Sequence, residues 1–329
     1  MVAPIVAFLP DNSAMHILIP YACPPGPRCR EAMATLQLPH LARLLHVLTP
    51  TVTLRGSPEQ LTPLHERLQA QSLGLQGADG LLPWAALDAQ RLGLTALHGV
   101  EGWAWITPCH WTIQAHHVDM ADPQHLALTH TEAEALWTAM QPYFAEDGVT
   151  LFAQPLEHIG TRWLAHGAVF KDLPTASLER VTNHPVDPWM PRQEQAQPLR
   201  RLQNEMQMLL YRHPVNDTRA KFKLPGINSF WVSGTGTLSA SFPAALISHA
   251  HSTAYAIRDA LRVPALQDDA AAWALAWQSL DSTTLTQSLD LTLCGDVQAV
   301  TLARKPLSLW ERLRQRMAMP TPYTFLSTL

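Results

Sequence analysis

Charged side chains are scarce in this chain of 329 residues. Asp, Glu, Lys and Arg together make up 15% of it, and the formal net charge is −4. A basic run occurs only between Arg304 and Arg316, where it is more typical of the solvated face of a last helix. Nucleic-acid binding requires a concentration of positive charge that displaces phosphate counterions, so the sequence predicts no nucleic-acid partner. Because 47% of the residues are apolar, a disordered protein is also excluded.

The chain also lacks cysteine pairs, long apolar runs and a recognisable leader. Its four cysteines form no C-x-x-C pair; Cys23 and Cys29 could approach across a proline-rich turn, but reduced thiols are favoured in a chain of this size. No apolar run reaches the roughly 18 residues that span a bilayer. Residues 1–14 have neither the basic start nor the cleavage site of a signal peptide. We therefore expect a cytoplasmic protein with no membrane partner and a loose extension over residues 1–14.

Apolar patterns of strands and helices alternate along the chain, which favours the α/β class. The predicted strands cover residues 16–22, 103–106, 111–118, 149–153, 161–164, 227–232 and 289–294. The predicted helices cover residues 30–48 with a break at Pro39, 61–73, 84–92, 129–144, 199–210, 244–261, 270–280 and 307–317. We expect residues 15–100 and 198–329 to form the two halves of an α/β core, and residues 101–197 to form an inserted or remodelled α+β segment.

The most informative segment covers residues 211–237, YRHPVNDTRAKFKLPGINSFWVSGTGT. A buried strand is predicted to lead into a glycine-rich turn at residues 233–236. Such a turn at the carboxyl edge of a sheet exposes backbone N–H groups that commonly hold anions, and Arg219 could clamp a phosphate or carboxylate. The alternative is a glycine turn needed for packing, with Arg219 on the surface. The predicted ligand-binding residues are His213, Asn216, Arg219, Asn228, Ser229, Ser233, Gly234, Thr235 and Gly236.

Residues 107–119, TPCHWTIQAHHVD, contain three histidines and an aspartate. If residues 111–118 form one strand, its rise of about 3.3 Å per residue puts His110 and His116 roughly 20 Å apart, too far to share an ion. His117 and Asp119 would share a face of the strand. Three interpretations follow: His110 and His117 line a ligand pocket, they are ordinary buried or edge histidines, or they bind a metal. No G-x-S-x-G motif supports an α/β-hydrolase.

The 211–237 segment resembles a stretch of archaeal-type cofactor-independent phosphoglycerate mutases that reads approximately H-P-V-N-x-x-R…P-A-N-x-x-x-x-R-G-x-G. The matching residues are His213, Pro214, Val215, Asn216, Arg219, Pro225, Asn228, Gly234 and Gly236, while Ser233 replaces the family's arginine. Segments 38–45, 62–75 and 291–296 are similar to parts of the alkaline phosphatase superfamily. The whole chain resembles RpfE-type regulatory proteins in its segments PCHW…HHV, LPTASLxRV and RRLQNEMQMLLYxHPVND.

This resemblance implies a core sheet flanked by helices of the alkaline-phosphatase and phosphoglycerate-mutase type, with Thr62 near the nucleophile position. It also implies two divalent metals, yet the first ligand position falls in Pro20-Tyr21-Ala22, no Asp is followed by a His four residues later, and Gly295-Asp296-Val297 lacks a histidine. Phosphoryl transfer through a hydroxyl needs those metals.

The expected protein therefore has no metal or cofactor. It is regulatory, or it binds a phosphorylated or carboxylate small molecule. Two alternatives remain: a phosphomutase or phosphoesterase with an altered active site, and a protein–protein interaction module.

Overall fold

The structure, a computed structural model, describes residues 16–94, 101–153, 162–239, 242, 255–285, 290–304 and 321–329. The N-terminal extension, the helix predicted at 307–317 and most of the helix predicted at 244–261 lie outside these ranges. Among the helices of the described ranges, none is long and apolar enough to cross a membrane.

Strands and helices alternate along the described chain, which confirms the predicted α/β class. The strands are β1 (His16–Ile19), β2 (Thr49–Arg55), β3 (Gly102–Cys109), β4 (Trp111–Ile113), β5 (Val118–Met120), β6 (Thr150–Phe152), β7 (Trp163–Gly167), β8 (Ser229–Gly236), β9 (Ala256–Ile257), β10 (Asp290–Cys294) and β11 (Gln298–Ala303). The helices are α1 (Pro27–Met33), α2 (Pro39–Val47), α3 (Leu64–Ser72), α4 (Trp84–Arg91), α5 (His130–Glu146), α6 (Leu178–Val181), α7 (Gln197–Tyr211), α8 (Pro214–Lys221), α9 (Arg262–Leu266), α10 (Ala270–Thr283) and α11 (Pro322–Leu326).

The chain divides into two compact units. Among the described residues, unit 1 consists of 16–58, 64–73, 255–285, 290–304 and 321–329, and unit 2 consists of 59–63, 74–94, 101–153, 162–239 and 242. The predicted boundary at residue 197 does not coincide with this division, because residues 198–239 belong to unit 2.

Unit 1 is built on a five-stranded sheet in the order β2-β11-β10-β1-β9. Strands β9, β1 and β10 are parallel, whereas β11 and β2 are antiparallel to their neighbours. Strand β1, which lies between β10 and β9, is apolar on both faces, as expected of a strand covered on two sides. Its Ile17 and Ile19 pack with residues of α1, α2 and α10, while Leu18 packs with α3.

Asp281 ties α10 to the start of α2 inside unit 1. Its buried carboxylate accepts hydrogen bonds from the backbone N–H groups of Leu41 at 2.7 Å and His40 at 3.1 Å. We expect Asp281→Ala to lower the free energy of unfolding by about 2 kcal/mol, because a helix cap is lost and buried N–H groups are left unpaired. Asp269, the exposed N-cap of α10, provides the control. Guanidinium unfolding should show that Asp269→Ala lowers the free energy of unfolding by about 1 kcal/mol or less. Equal losses of stability in Asp281→Ala and Asp269→Ala would contradict the importance of the buried contact.

Unit 2 contains a four-stranded antiparallel sheet in the order β6-β7-β3-β8 and the separate hairpin β4-β5. The two strands predicted near residues 150 and 163 pair with each other as β6 and β7. Helices α5 and α7 cover one face of the sheet around Phe144 and Phe230, and α4 packs with Trp103. A capping box formed by Thr129 and Glu132 begins α5.

Three predicted elements are wrong. Residues 111–118 form a hairpin rather than one strand, with Thr112 opposite Asp119, so the separation assumed between His110 and His116 has no basis. Residues 233–236 continue β8 rather than forming a turn, with a bulge in β8 opposite the segment from Trp103 to Trp105 of β3. Residues 255–261, predicted as helix, include strand β9 instead, because that segment pairs with β1.

Candidate functional site

The polar residues that precede β8 contact the protein backbone. His213 is the N-cap of α8, and its Nδ1 accepts from the N–H of Val215 at 3.3 Å. Asn216 donates to the carbonyls of Leu210 and Ile227 and accepts from the Ile227 N–H. Asn228 pairs in both directions with the main chain of Trp111. These side chains therefore hold α7, α8, β8 and β4 together, which accounts for their presence without a ligand.

Arg219 is buried, with 1% of its surface exposed, so the alternative that placed it on the surface is wrong. Its guanidinium donates to both carboxylate oxygens of Glu132 at 3.1 Å and to the carbonyls of Leu126 and Pro225. Burial alone would raise the pKa of Glu132, but hydrogen bonds from Thr129 and Arg219 hold it below its ordinary value. The guanidinium of Arg219, which was predicted to bind a ligand, thus donates its described hydrogen bonds to protein atoms.

The residues of β8 proposed as an anion cradle lie within the sheet. Ser229, Ser233 and Thr235 are buried. The Thr235 hydroxyl lies 2.6 Å from the Leu173 carbonyl oxygen and 2.9 Å from the Thr175 hydroxyl. At Gly234 an added Cβ would lie 2.7 Å from the Trp105 ring. Packing at Gly234 and hydrogen bonds at Thr235 occupy part of the predicted ligand site, whereas the buried hydroxyl of Ser229 has no hydrogen-bond partner among the described residues.

Thr62, His110 and His117 contact different parts of unit 2. Thr62 is 4% exposed, and its hydroxyl accepts from the Gly80 N–H at 3.0 Å. His110 lies 2.6 Å from the carbonyl oxygen of Gly226. The Nε2 atom of His117 lies 3.2 Å from the Asp119 carboxylate. An altered active site built on these side chains would require them to converge, and their described contacts do not bring them together.

Sequence reasoning missed a second location, the carboxyl edge of the parallel strands in unit 1. Strands β9, β1 and β10 run in the same direction and end at Ile257, Ile19 and Cys294. Ligands of open α/β sheets commonly lie just beyond such ends. The residues that follow these strands are therefore the ones to test for chemistry.

The loop after β1 holds a strained backbone. Tyr21 has a φ of 55°, in the left-handed region that a bulky side chain rarely adopts. Three hydrogen bonds maintain it: the Ala22 N–H donates to the Cys294 carbonyl at 2.7 Å, and the indole N–H groups of Trp273 and Trp277 donate to the carbonyls of Tyr21 and Ala22 at 3.2 Å. The Tyr21 side chain is half-buried, and its ring centroid lies 5.5 Å from that of His65.

Charged groups of both signs surround this loop. Burial raises the pKa of the Cys23 thiol and Asp296 raises it further, while Arg30 opposes them. The thiol is therefore a neutral group rather than a nucleophilic thiolate. Arg258 follows β9 and is half-exposed, and its described hydrogen bond runs to the Ile257 carbonyl at 3.3 Å.

The donor set at this edge does not fit the two-metal centre that the resemblance implies. Within each unit taken by itself, the described residues bring together no three His, Cys, Asp or Glu ligand atoms within 4.8 Å of one another. Residues 20–25 contain no carboxylate or imidazole, and Asp296 alone follows β10. Hard divalent cations require several oxygen ligands.

Comparison with solved structures gives several distant likenesses, among them the two that follow. No protein-family model matches the chain, and no curated protein is similar to it. The cofactor-independent phosphoglycerate mutase from Thermoplasma acidophilum DSM 1728 is 14% identical, with 89% of this chain and 90% of that chain covered and a TM-score of 0.37. The PH0037 protein from Pyrococcus horikoshii is 12% identical, with 88% and 87% covered and a TM-score of 0.40. At this identity no residue of either protein is transferred to this chain.

Proposed function

We propose that this protein binds a small phosphorylated or carboxylated molecule at the carboxyl edge of unit 1 and acts as a regulatory or binding protein. The observation that carries the proposal is the strained loop at Tyr21, held by three hydrogen bonds at the sheet edge where Arg258 follows β9. The sequence resemblance to RpfE-type regulatory proteins supports the regulatory role.

The left-handed conformation of Tyr21 supports a binding role because it lowers the stability of the folded protein and is nevertheless kept. A non-glycine residue in the left-handed region costs about 1–3 kcal/mol, and such residues concentrate at ligand sites, where the surrounding structure keeps them in place. Two buried tryptophans hold the carbonyls of this loop, so its shape exists before any ligand arrives. A preformed loop reduces the ordering cost of binding.

The side chain of Arg258 at this edge suits an anion. Its guanidinium can form paired hydrogen bonds with a carboxylate or phosphate. Asp296 follows β10 at the same edge, so the ligand meets charges of both signs and needs a matched arrangement of polar groups rather than charge alone.

Binding without phosphoryl transfer agrees better with the surroundings of Thr62. Its hydroxyl oxygen accepts a hydrogen bond from the Gly80 amide, which cannot remove a proton from it. A hydroxyl nucleophile needs an adjacent base or a metal for activation. We therefore propose that the predicted nucleophile has a structural role in joining residues 62 and 80.

A thermal-shift screen of phosphorylated and carboxylated metabolites, followed by calorimetric titration of the ligand found, tests the proposal. A ligand at 100 times its Kd should add about 2.7 kcal/mol to the apparent stability. We expect Arg258→Gln to raise the Kd by about tenfold, which corresponds to the loss of one charged hydrogen bond. Arg43→Gln, the same change at an exposed position of α2, should leave the Kd unchanged.

Three results would overturn the proposal. The first is a panel in which no anion raises the melting temperature. The second is a Kd that is equal in Arg258→Gln and the native protein, which would place the ligand elsewhere. The third is turnover of phosphoglycerate in the presence of Mn²⁺ by protein that retains two tightly bound metal ions.

A further inference from the structure

Residues 221–224, with the sequence KFKL, form an exposed loop at the end of α8 in unit 2. Phe222 is 72% exposed and Leu224 is 43% exposed. The chain contains only four lysines, and two of them, Lys221 and Lys223, flank Phe222. Two of the four lysines in the chain thus flank an aromatic side chain that is largely exposed.

Buried contacts hold this loop in place from both sides. The Leu224 N–H donates to the Arg219 carbonyl at 2.9 Å, and the Arg219 guanidinium donates to the Pro225 carbonyl at 2.7 Å. Lys223 adopts a φ of 57°, which turns the chain between the two apolar residues. These hydrogen bonds therefore fix the conformation of the loop in which Phe222 is exposed.

The charge around the loop differs in sign from that of the whole protein. Arg212, Lys221 and Lys223 are exposed, and Asp217 is the exposed acid of the same stretch, so residues 211–225 present a surplus of two positive charges. Arg219 adds none, since Glu132 neutralises it. The whole chain carries −4. A positive surface on an acidic protein favours a negatively charged partner.

We propose that the 221–224 loop docks on the surface of an anionic lipid bilayer. Aromatic and aliphatic side chains enter the headgroup region while lysines contact anionic lipids, and the two contributions add. A bilayer receives single exposed side chains, whereas a protein partner needs a cavity that matches Phe222 and Leu224. The expectation of no membrane partner came from the lack of a spanning segment, which does not bear on surface docking.

Sedimentation with vesicles tests this proposal on the full chain. We expect binding to vesicles of phosphatidylcholine with phosphatidylserine, weak or no binding to phosphatidylcholine alone, and release at high salt. Phe222→Ser with Leu224→Ser, and separately Lys221→Glu with Lys223→Glu, should each reduce the bound fraction by about tenfold. Ile113→Ser, at an apolar residue that is 85% exposed, and Lys171→Glu, at another exposed lysine, are the matched controls and should bind normally.

Vesicle binding that is the same in the loop variants and the controls would overturn the proposal. So would an absence of binding to the anionic vesicles. Binding of a single-stranded oligonucleotide or of an acidic protein through the same residues, without vesicle binding, would assign the loop to a different partner and refute the lipid proposal. Circular dichroism and melting of each variant confirm that all are folded.

Discussion

Replacing Arg219 with alanine is expected to lower the free energy of unfolding by about 3–5 kcal/mol, the usual loss when one partner of a buried ion pair is removed. The change would leave the Glu132 carboxylate and the carbonyls of Leu126 and Pro225 without their donor. Arg212→Ala, at an exposed arginine seven residues earlier, should change stability by less than about 0.5 kcal/mol. Guanidinium unfolding followed by circular dichroism measures both.

The pH dependence of this loss provides a second readout. The folded pKa of Glu132 lies below its ordinary value, so its contribution to stability is present above the unfolded pKa and disappears as the pH falls through the folded pKa. The difference between native protein and Arg219→Ala should therefore shrink below about pH 4. If Arg219 were a ligand clamp, the variant would unfold like the native protein and lose binding alone.

Gly234→Ala is expected to cost about 2–4 kcal/mol, the sum of overpacking and left-handed strain. The residue has a φ of 64°, and its new Cβ would lie 2.7 Å from the Trp105 ring. That ring cannot easily move, because Arg162 lies over it at 3.6 Å and its indole N–H donates to Asp88 at 3.1 Å. The clash can therefore be relieved only if the backbones of β3 and β8 move apart.

Gly148→Ala separates the two causes. Gly148 has a φ of 72° with no atom within 4 Å of an added Cβ, so it carries the backbone strain without the clash. We expect a loss of about 1–2 kcal/mol there. The free energies of unfolding that Gly234→Ala and Gly148→Ala lose, measured by thermal unfolding, should therefore differ by at least about 1 kcal/mol. Equal losses would mean that residues 233–236 are loosely packed, as a ligand-binding turn would be.

Local patterns predicted most of the elements of this fold. Pro39 separates α1 from α2, because a proline is tolerated at the start of a helix and not within it. Thr129 and Glu132 predict the start of α5 through their reciprocal hydrogen bonds. Such signals span a few residues and need no knowledge of the rest of the chain.

The predictions that were wrong concern segments whose structure depends on contacts that a local sequence pattern does not reveal. Glycines at 234 and 236 suggest a turn, but pairing with β3 keeps them in a strand. The hairpin at residues 111–120 turns without glycine or proline between its strands, where the Gln114 N–H donates to the His117 carbonyl. The strained Tyr21 depends on indole donors about 250 residues later in the chain. Contacts at such separation are decided by the tertiary fold.

We propose that the carboxyl edge of unit 1 holds a small anion. A crystal of the protein grown with tungstate, an electron-dense analogue of phosphate, tests it through the anomalous signal of tungsten. We predict a peak within hydrogen-bond distance of the Arg258 guanidinium, beside Tyr21. A peak along residues 233–236, or a pair of metal ions next to Thr62, would contradict the account.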